Sequence, residues 1–157
     1  MITVKGGSKY QKEYAESIAN YCIEKMMPRL KDKLDITIRI KRDLVDKENV
    51  LGDAMWEDDE LAPREFTIRV AGAVKLRTML TTIAHEMVHV KQYARKEMRQ
   101  LSRSNKVAWL SKHVDTKKTD YWDLPWEIEA HGREEGLFIR WASECGHGDK
   151  EWALVKY

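Results

Sequence analysis

Cysteine is scarce in this chain of 157 residues, and long apolar runs are missing. Two cysteines, Cys22 and Cys145, cannot build a disulfide framework, so reduced thiols and a cytoplasmic location are expected. No stretch approaches the roughly 18 apolar residues of a membrane span, so no spanning helix is expected, and no membrane partner is expected either. The segment Met1-Ile2-Thr3-Val4-Lys5-Gly6-Gly7 lacks the apolar core of a secretory leader. Repeats and low-complexity tracts are also absent. Net charge is small, +2 from 28 Lys+Arg against 26 Asp+Glu, and says little by itself.

What is present is the make-up of a soluble globule, 43% hydrophobic and 34% charged, long enough to bury one core as a single domain spanning 1–157. The charge is unevenly placed. Nine Lys/Arg fall between Lys91 and Lys118 against only Glu97 and Asp115, and six acids fall between Asp120 and Glu135 against Arg133 alone. A further acidic run, Glu57-Asp58-Asp59-Glu60, precedes Pro63.

Periodicity divides the chain into elements. Ser8 and Gln11 form a capping-box signature, followed by a helical stripe of Tyr14, Ile18, Tyr21, Cys22 and Met26, with Pro28 marking its end. Residues 35–41 alternate and are rich in β-branched side chains, which predicts a half-buried strand. Two more strands are expected at 51–56 and 65–70. Leu76, Met79, Leu80, Ile83, Met87 and Val88 recur at steps of three and four, predicting a long buried helix over about residues 75–100. A second core helix, capped by Asp123 or Leu124, runs from Pro125 to about Glu144, where Cys145-Gly146-His147-Gly148 ends it. The expected fold is α+β: a small mixed three-stranded sheet packed against an N-terminal helix and two core helices. Five of the six tryptophans lie from Trp109 onward and are expected to fill the core around the last helix.

Inside the long helix stands His85-Glu86-Met87-Val88-His89. Residues four apart share a helix face, so the two imidazoles can converge on one ion. Glu86, rotated by about 100°, can reach a water at that ion without being a ligand. Two neutral imidazoles and a carboxylate poised over zinc and its water suit peptide-bond hydrolysis. Buried among Ile83, Met87 and Val88, these polar groups need partners, and a metal supplies them.

A third ligand must come from elsewhere, because Gln92 and Arg95 occupy the places where the metzincin extension has a glycine and a histidine. Glu127, Glu129 and His131 are the candidates, with His113 further off. Glu127 and His131 share a helix face, which suits Glu127 as ligand and His131 as support for another ligand. Glu129 points about 200° away from Glu127, so both cannot bind the ion from one regular helix. Tyr121 is the candidate donor to a developing oxyanion, followed by His113 and Arg133. Cys145-Gly146-His147 reads as a helix terminus rather than a second metal site.

His85–His89, Gln92 and the downstream Glu127-Ile128-Glu129-Ala130-His131 resemble the gluzincin zinc metallopeptidases, and among them the short minigluzincins and SprT-like or phage-type domains. The resemblance covers roughly residues 34–145. It implies zinc held by His85, His89 and Glu127, Glu86 as general base, and a polypeptide substrate. Two departures stand out. Family members often carry Asp where this chain has His131, and SprT-like domains use a third histidine, which would promote His131 over Glu127. The substrate-binding edge strand of the family falls at the place of the 65–70 strand. A rival class is a nucleic-acid-associated protease or non-catalytic zinc-binding module using Lys91, Arg95, Arg99 and Arg103, read as a basic stripe continuing the helix, with Lys106, Lys112, Lys117 and Lys118 beside it.

Overall fold

In the computed structural model, which describes residues 1–59 and 61–154, the capping box at Ser8 closes as its spacing predicts. Ser8 Oγ accepts from the Gln11 amide at 3.3 Å, and Gln11 Oε1 accepts from the Ser8 amide at 2.9 Å. Two of the orphan donors at the helix start are thereby satisfied. Helix α1 then runs over Lys9–Met26, and a 3-10 turn at Pro28–Lys33 follows. Glu60, the last member of the acidic run, lies outside the described residues.

Strand β1 (Ile2–Lys5) precedes α1; strand β2 (Asp35–Lys41), the short helix α2 (Leu44–Glu48), and strands β3 (Gly52–Trp56) and β4 (Glu65–Ala71) follow it. The sheet order is β1-β2-β4-β3. β1, β2 and β4 run parallel, and β3 is antiparallel to β4. Alternation sets the core face: Ile36, Ile38 and Ile40 pair across the ladder with Phe66, Ile68 and Val70, and all six are buried. Intervening Thr37, Arg39, Thr67 and Arg69 turn the other way.

Helix α3 (Leu76–Ala94) lies between this sheet with α1 on one side and helix α4 (Pro125–Glu144) on the other. One apolar cluster takes in α1, the sheet, α3 and α4, and includes Ile18, Ile68, Met79, Ile83, Met87, Phe138 and Trp141. Between α3 and α4 the chain makes a second, antiparallel sheet of β5 (Met98–Gln100), β6 (Lys106–Trp109) and β7 (Lys112–Asp115). It packs through Met98 and Val107 against Trp126. A 3-10 turn at Tyr121–Asp123 leads into α4, whose first residue is Pro125, where a missing N–H costs nothing.

The α+β class, α1 and the strands at 35–41, 51–56 and 65–70 therefore stand, with corrections. The main sheet has four strands, because β1 pairs with β2, and a second sheet is added. The 65–70 strand is not an edge: β4 sits between β2 and β3, and β3 is the edge on that side, with β1 at the other. α3 stops six residues short of the expected end. Lys96 adopts a left-handed φ of 61°, and the Glu97 amide turns back to the Gln92 carbonyl at 2.8 Å. Trp141 and Trp126 are buried, but Trp122 is 67% exposed, so the tryptophans do not all serve the core. Both cysteines are free, and among the described residues no helix is long and apolar enough to cross a membrane.

Candidate metal centre

Among the described residues the buried polar or charged side chains are His85, Glu86, Lys91 and Gln92, and all four sit on α3. Burial of such groups is unfavourable unless each finds a partner. α4 brings the partners. His85 Nε2 and His89 Nε2 lie 3.1 Å apart, with Glu127 Oε2 at 3.4 Å from the first and Oε1 at 3.5 Å from the second. Ligands bound tetrahedrally at about 2.0–2.1 Å lie roughly 3.3 Å from one another. The three groups thus have the mutual spacing of ligands to one ion, and they could hold a metal.

The outer hydrogen bonds agree. His85 Nδ1 is 2.6 Å from Glu134 Oε2, and a carboxylate can only accept, so the ring proton is on Nδ1. His89 Nδ1 is 2.8 Å from Gln92 Oε1. Both imidazoles therefore turn an Nε2 lone pair toward Glu127. Three such groups facing one another are stabilised by positive charge between them, whether a metal ion or a proton. A second cluster of His85, His131 and Glu134 shares His85. Its 2.6 Å separation is too short for two atoms on one ion and fits a charge-assisted hydrogen bond.

The ionisations reflect the same demand. Burial disfavours a charged Glu127, but hydrogen bonds from His85 and His89 outweigh it and hold the carboxyl well below its usual range. Burial likewise disfavours protonated His85, yet its hydrogen bonds with Glu127 and Glu134 prevail and push it up to about 9. A proton takes the cation's place when no metal is there. Glu86 is pushed up to about 7, mainly by burial, with the two imidazoles opposing.

A cleft crosses the site in two parts. The larger, about 610 Å³, includes Leu51, Gly52, Thr78, His85, Glu86 and His131 in its walls; the smaller, about 360 Å³, includes Ala54, Glu86, His89, Tyr93 and Glu127. Edge strand β3 walls the smaller part through Gly52, Asp53 and Ala54, and its first residue, Gly52, also lines the larger. Gly52 permits that approach: a Cβ there would sit 2.7 Å from Thr82 Cγ2, 3.0 Å from the Arg69 carbonyl oxygen and 3.3 Å from Glu86 Oε1.

Of the expected site residues, His85, Glu86, His89, Glu127 and Tyr121 come together. Tyr121 lines both parts of the cleft and donates to Glu127 Oε2 at 2.8 Å. His131 does not hydrogen-bond a ligand imidazole. It packs against the His85 ring, centroids 4.6 Å apart and planes tilted by 56°, and contacts the Tyr121 hydroxyl at 3.2 Å. Glu134 takes the supporting role, and it is the residue sequence reasoning missed. It lies seven residues after Glu127 and so shares its helix face, a signal available from spacing alone. Glu129 turns to Lys91, Gln92 and Arg133 instead of the ligand triangle. His113 is exposed on β7, and Arg133 binds Glu129 outside the cleft walls. Cys145 belongs to neither ligand cluster, and His147 packs against Tyr14, Trp141 and Trp152.

The basic stripe is corrected as well. Lys91 is 6% exposed and paired with Glu97 and Glu129, Arg99 is on β5, and Arg103 sits in a turn with φ 59°. With α3 ending at Ala94, no helical face joins them.

No protein-family model, curated protein or solved structure matches this chain, so its reading rests on the geometry above.

Two outcomes follow. Below the raised pKa of about 9, His85 must lose a proton before it can bind a metal. Metal affinity is expected to climb with pH by about tenfold per unit for each proton displaced, then level off above pH 9. Chelator competition between pH 6 and 9.5 checks this, and a flat profile from 6 to 8 contradicts it. Gly52→Ala is expected to cost about 1–3 kcal/mol by overpacking β3 against α3, read from urea denaturation.

Proposed function

We propose that this chain is a zinc-dependent metallopeptidase of gluzincin type, with His85, His89 and Glu127 as ligands. The observation that carries the reading is the ligand triangle with buried Glu86 beside it, opening onto a cleft walled by a strand edge. Two histidines and a carboxylate fit the preference of catalytic zinc for three protein ligands and an open position. A bound zinc ion would supply Lewis acidity, polarising a scissile carbonyl and lowering the pKa of a water towards about 7.

The chain's own residues do the rest. Glu86, with its pKa raised to about 7, is matched to taking a proton from the attacking water and returning it to the leaving amine. Glu134 and Gln92 hold the imidazoles in the tautomer that presents Nε2. Tyr121 is the hydroxyl placed to serve a developing oxyanion, once its proton leaves the Glu127 acceptor. A polypeptide substrate would add as a strand along β3, whose outer edge has no partner strand among the described residues. Glu127 rather than His131 completes the triangle, which favours the gluzincin form over the three-histidine SprT-like one.

Glu86→Gln is expected to leave zinc bound and to lower peptide hydrolysis by about 10²–10⁴-fold or more, since the general base is lost. Metal analysis alongside peptidase assays checks it; undiminished hydrolysis by a pure preparation would sink the assignment.

A second reading, nucleic-acid-associated proteolysis or binding, is favoured by one observation. Arg99, Arg103, Lys106, Lys112, Lys117 and Lys118, on and around the second sheet, make no ion pair among the described residues, while Glu97 turns inward to Lys91. If these side chains contact phosphates, log affinity for duplex DNA should fall linearly with log salt, by about 0.9 per phosphate engaged. Negligible binding at roughly 50 mM salt would leave a solvated surface and end this reading.

A further inference from the structure

Behind the ligand triangle lies a buried polar chain that the catalytic reading does not use, and its role rests on the metal-centre reading. Gln92 is fully buried. Its amide nitrogen donates to the Trp126 carbonyl and to Glu129 Oε2, both at 3.0 Å. With two acceptors on the nitrogen side, the amide oxygen is left facing His89 Nδ1 at 2.8 Å. A flipped amide would set its N–H groups against the imidazole N–H and its oxygen against a carboxylate and a carbonyl. The orientation is therefore enforced, and with it the His89 tautomer.

Glu129 is in turn held by Lys91 Nζ at 2.5 Å and Arg133 Nε at 2.9 Å. Lys91 has a second carboxylate, Glu97, at 2.7 Å, so loss of either acid leaves it one partner. We propose that Glu129 is a positioning residue for the metal centre: through Gln92 it fixes His89 with its proton on Nδ1 and its Nε2 turned to the ion. A plain ion pair joining α3 to α4 would need only Lys91, since Arg133 stands on α4 four residues after Glu129, and would not need the Gln92 contact.

The test is a double-mutant cycle on the full chain, with zinc dissociation constants measured by chelator competition and folding followed by thermal denaturation. Glu129→Gln and Gln92→Leu are each expected to weaken zinc binding by about 10–100-fold, the usual cost of losing an outer-shell partner. Combined, they should do no more than either alone, since both break one relay. Glu97→Gln is expected to stay within about threefold, because Glu129 still neutralises Lys91. If Glu129→Gln unfolds, Glu129→Asp keeps the charge, withdraws the carboxylate from Gln92, and should weaken zinc binding in the same direction. Unchanged zinc affinity in a folded Glu129 variant overturns the proposal, as do multiplying effects or a Glu97→Gln loss as large as that of Glu129→Gln. Hydrolysis is not read, so the peptidase reading is untouched by these results. Failure of the unaltered chain to bind zinc would instead overturn the metal centre itself, and this relay with it.

Discussion

Charged and polar side chains buried on a single helix constrain everything around them. His85, Glu86, Lys91 and Gln92 face inward from α3, where desolvation is compensated only by well-placed partners. The compensation comes mostly from α4: Glu127 for the two imidazoles, Glu134 for the back of His85, and Glu129 for Lys91 and Gln92. The two helices are thus matched by polar registration as much as by the apolar contacts of Met87, Ala130 and Phe138. A slide of one helix turn along α4 would leave several charges unpaired at once, so the helix pair has one acceptable register.

Much of this was legible in the chain. His85 and His89 are one turn apart on a segment with apolar periodicity, and Glu127 follows Pro125 at a helix start. Those signals are local, and local periodicity is what a sequence displays directly. Glu134 escaped because attention to a four-residue step stops at His131, whereas the partner of His85 is two turns on. The family resemblance pulled the same way by giving the supporting role to the residue at position 131.

The misread elements share another cause. Lys91, Arg95, Arg99 and Arg103 keep a four-residue step, yet the helix breaks at Lys96, and the step then runs through a strand and a turn. Strands β5 to β7 are three or four residues long, too short to show alternation above noise. The order of strands in a sheet is a non-local property: nothing near residues 65–71 reveals that β3 folds back to cover that strand's free side.

The position of β3 has a consequence for how the molecule behaves among its own copies. An open edge that can receive a peptide can equally pair with the same edge of a neighbour. Here the edge is five residues long and carries Asp53, tied to Arg69, which Glu48 also grips at 2.7 Å. A short edge strand bearing a charged side chain is a usual guard against such pairing, because so short a ladder gives few hydrogen bonds to offset the cost of association. The strand that walls the cleft is therefore also, by its shortness, a poor template for self-association.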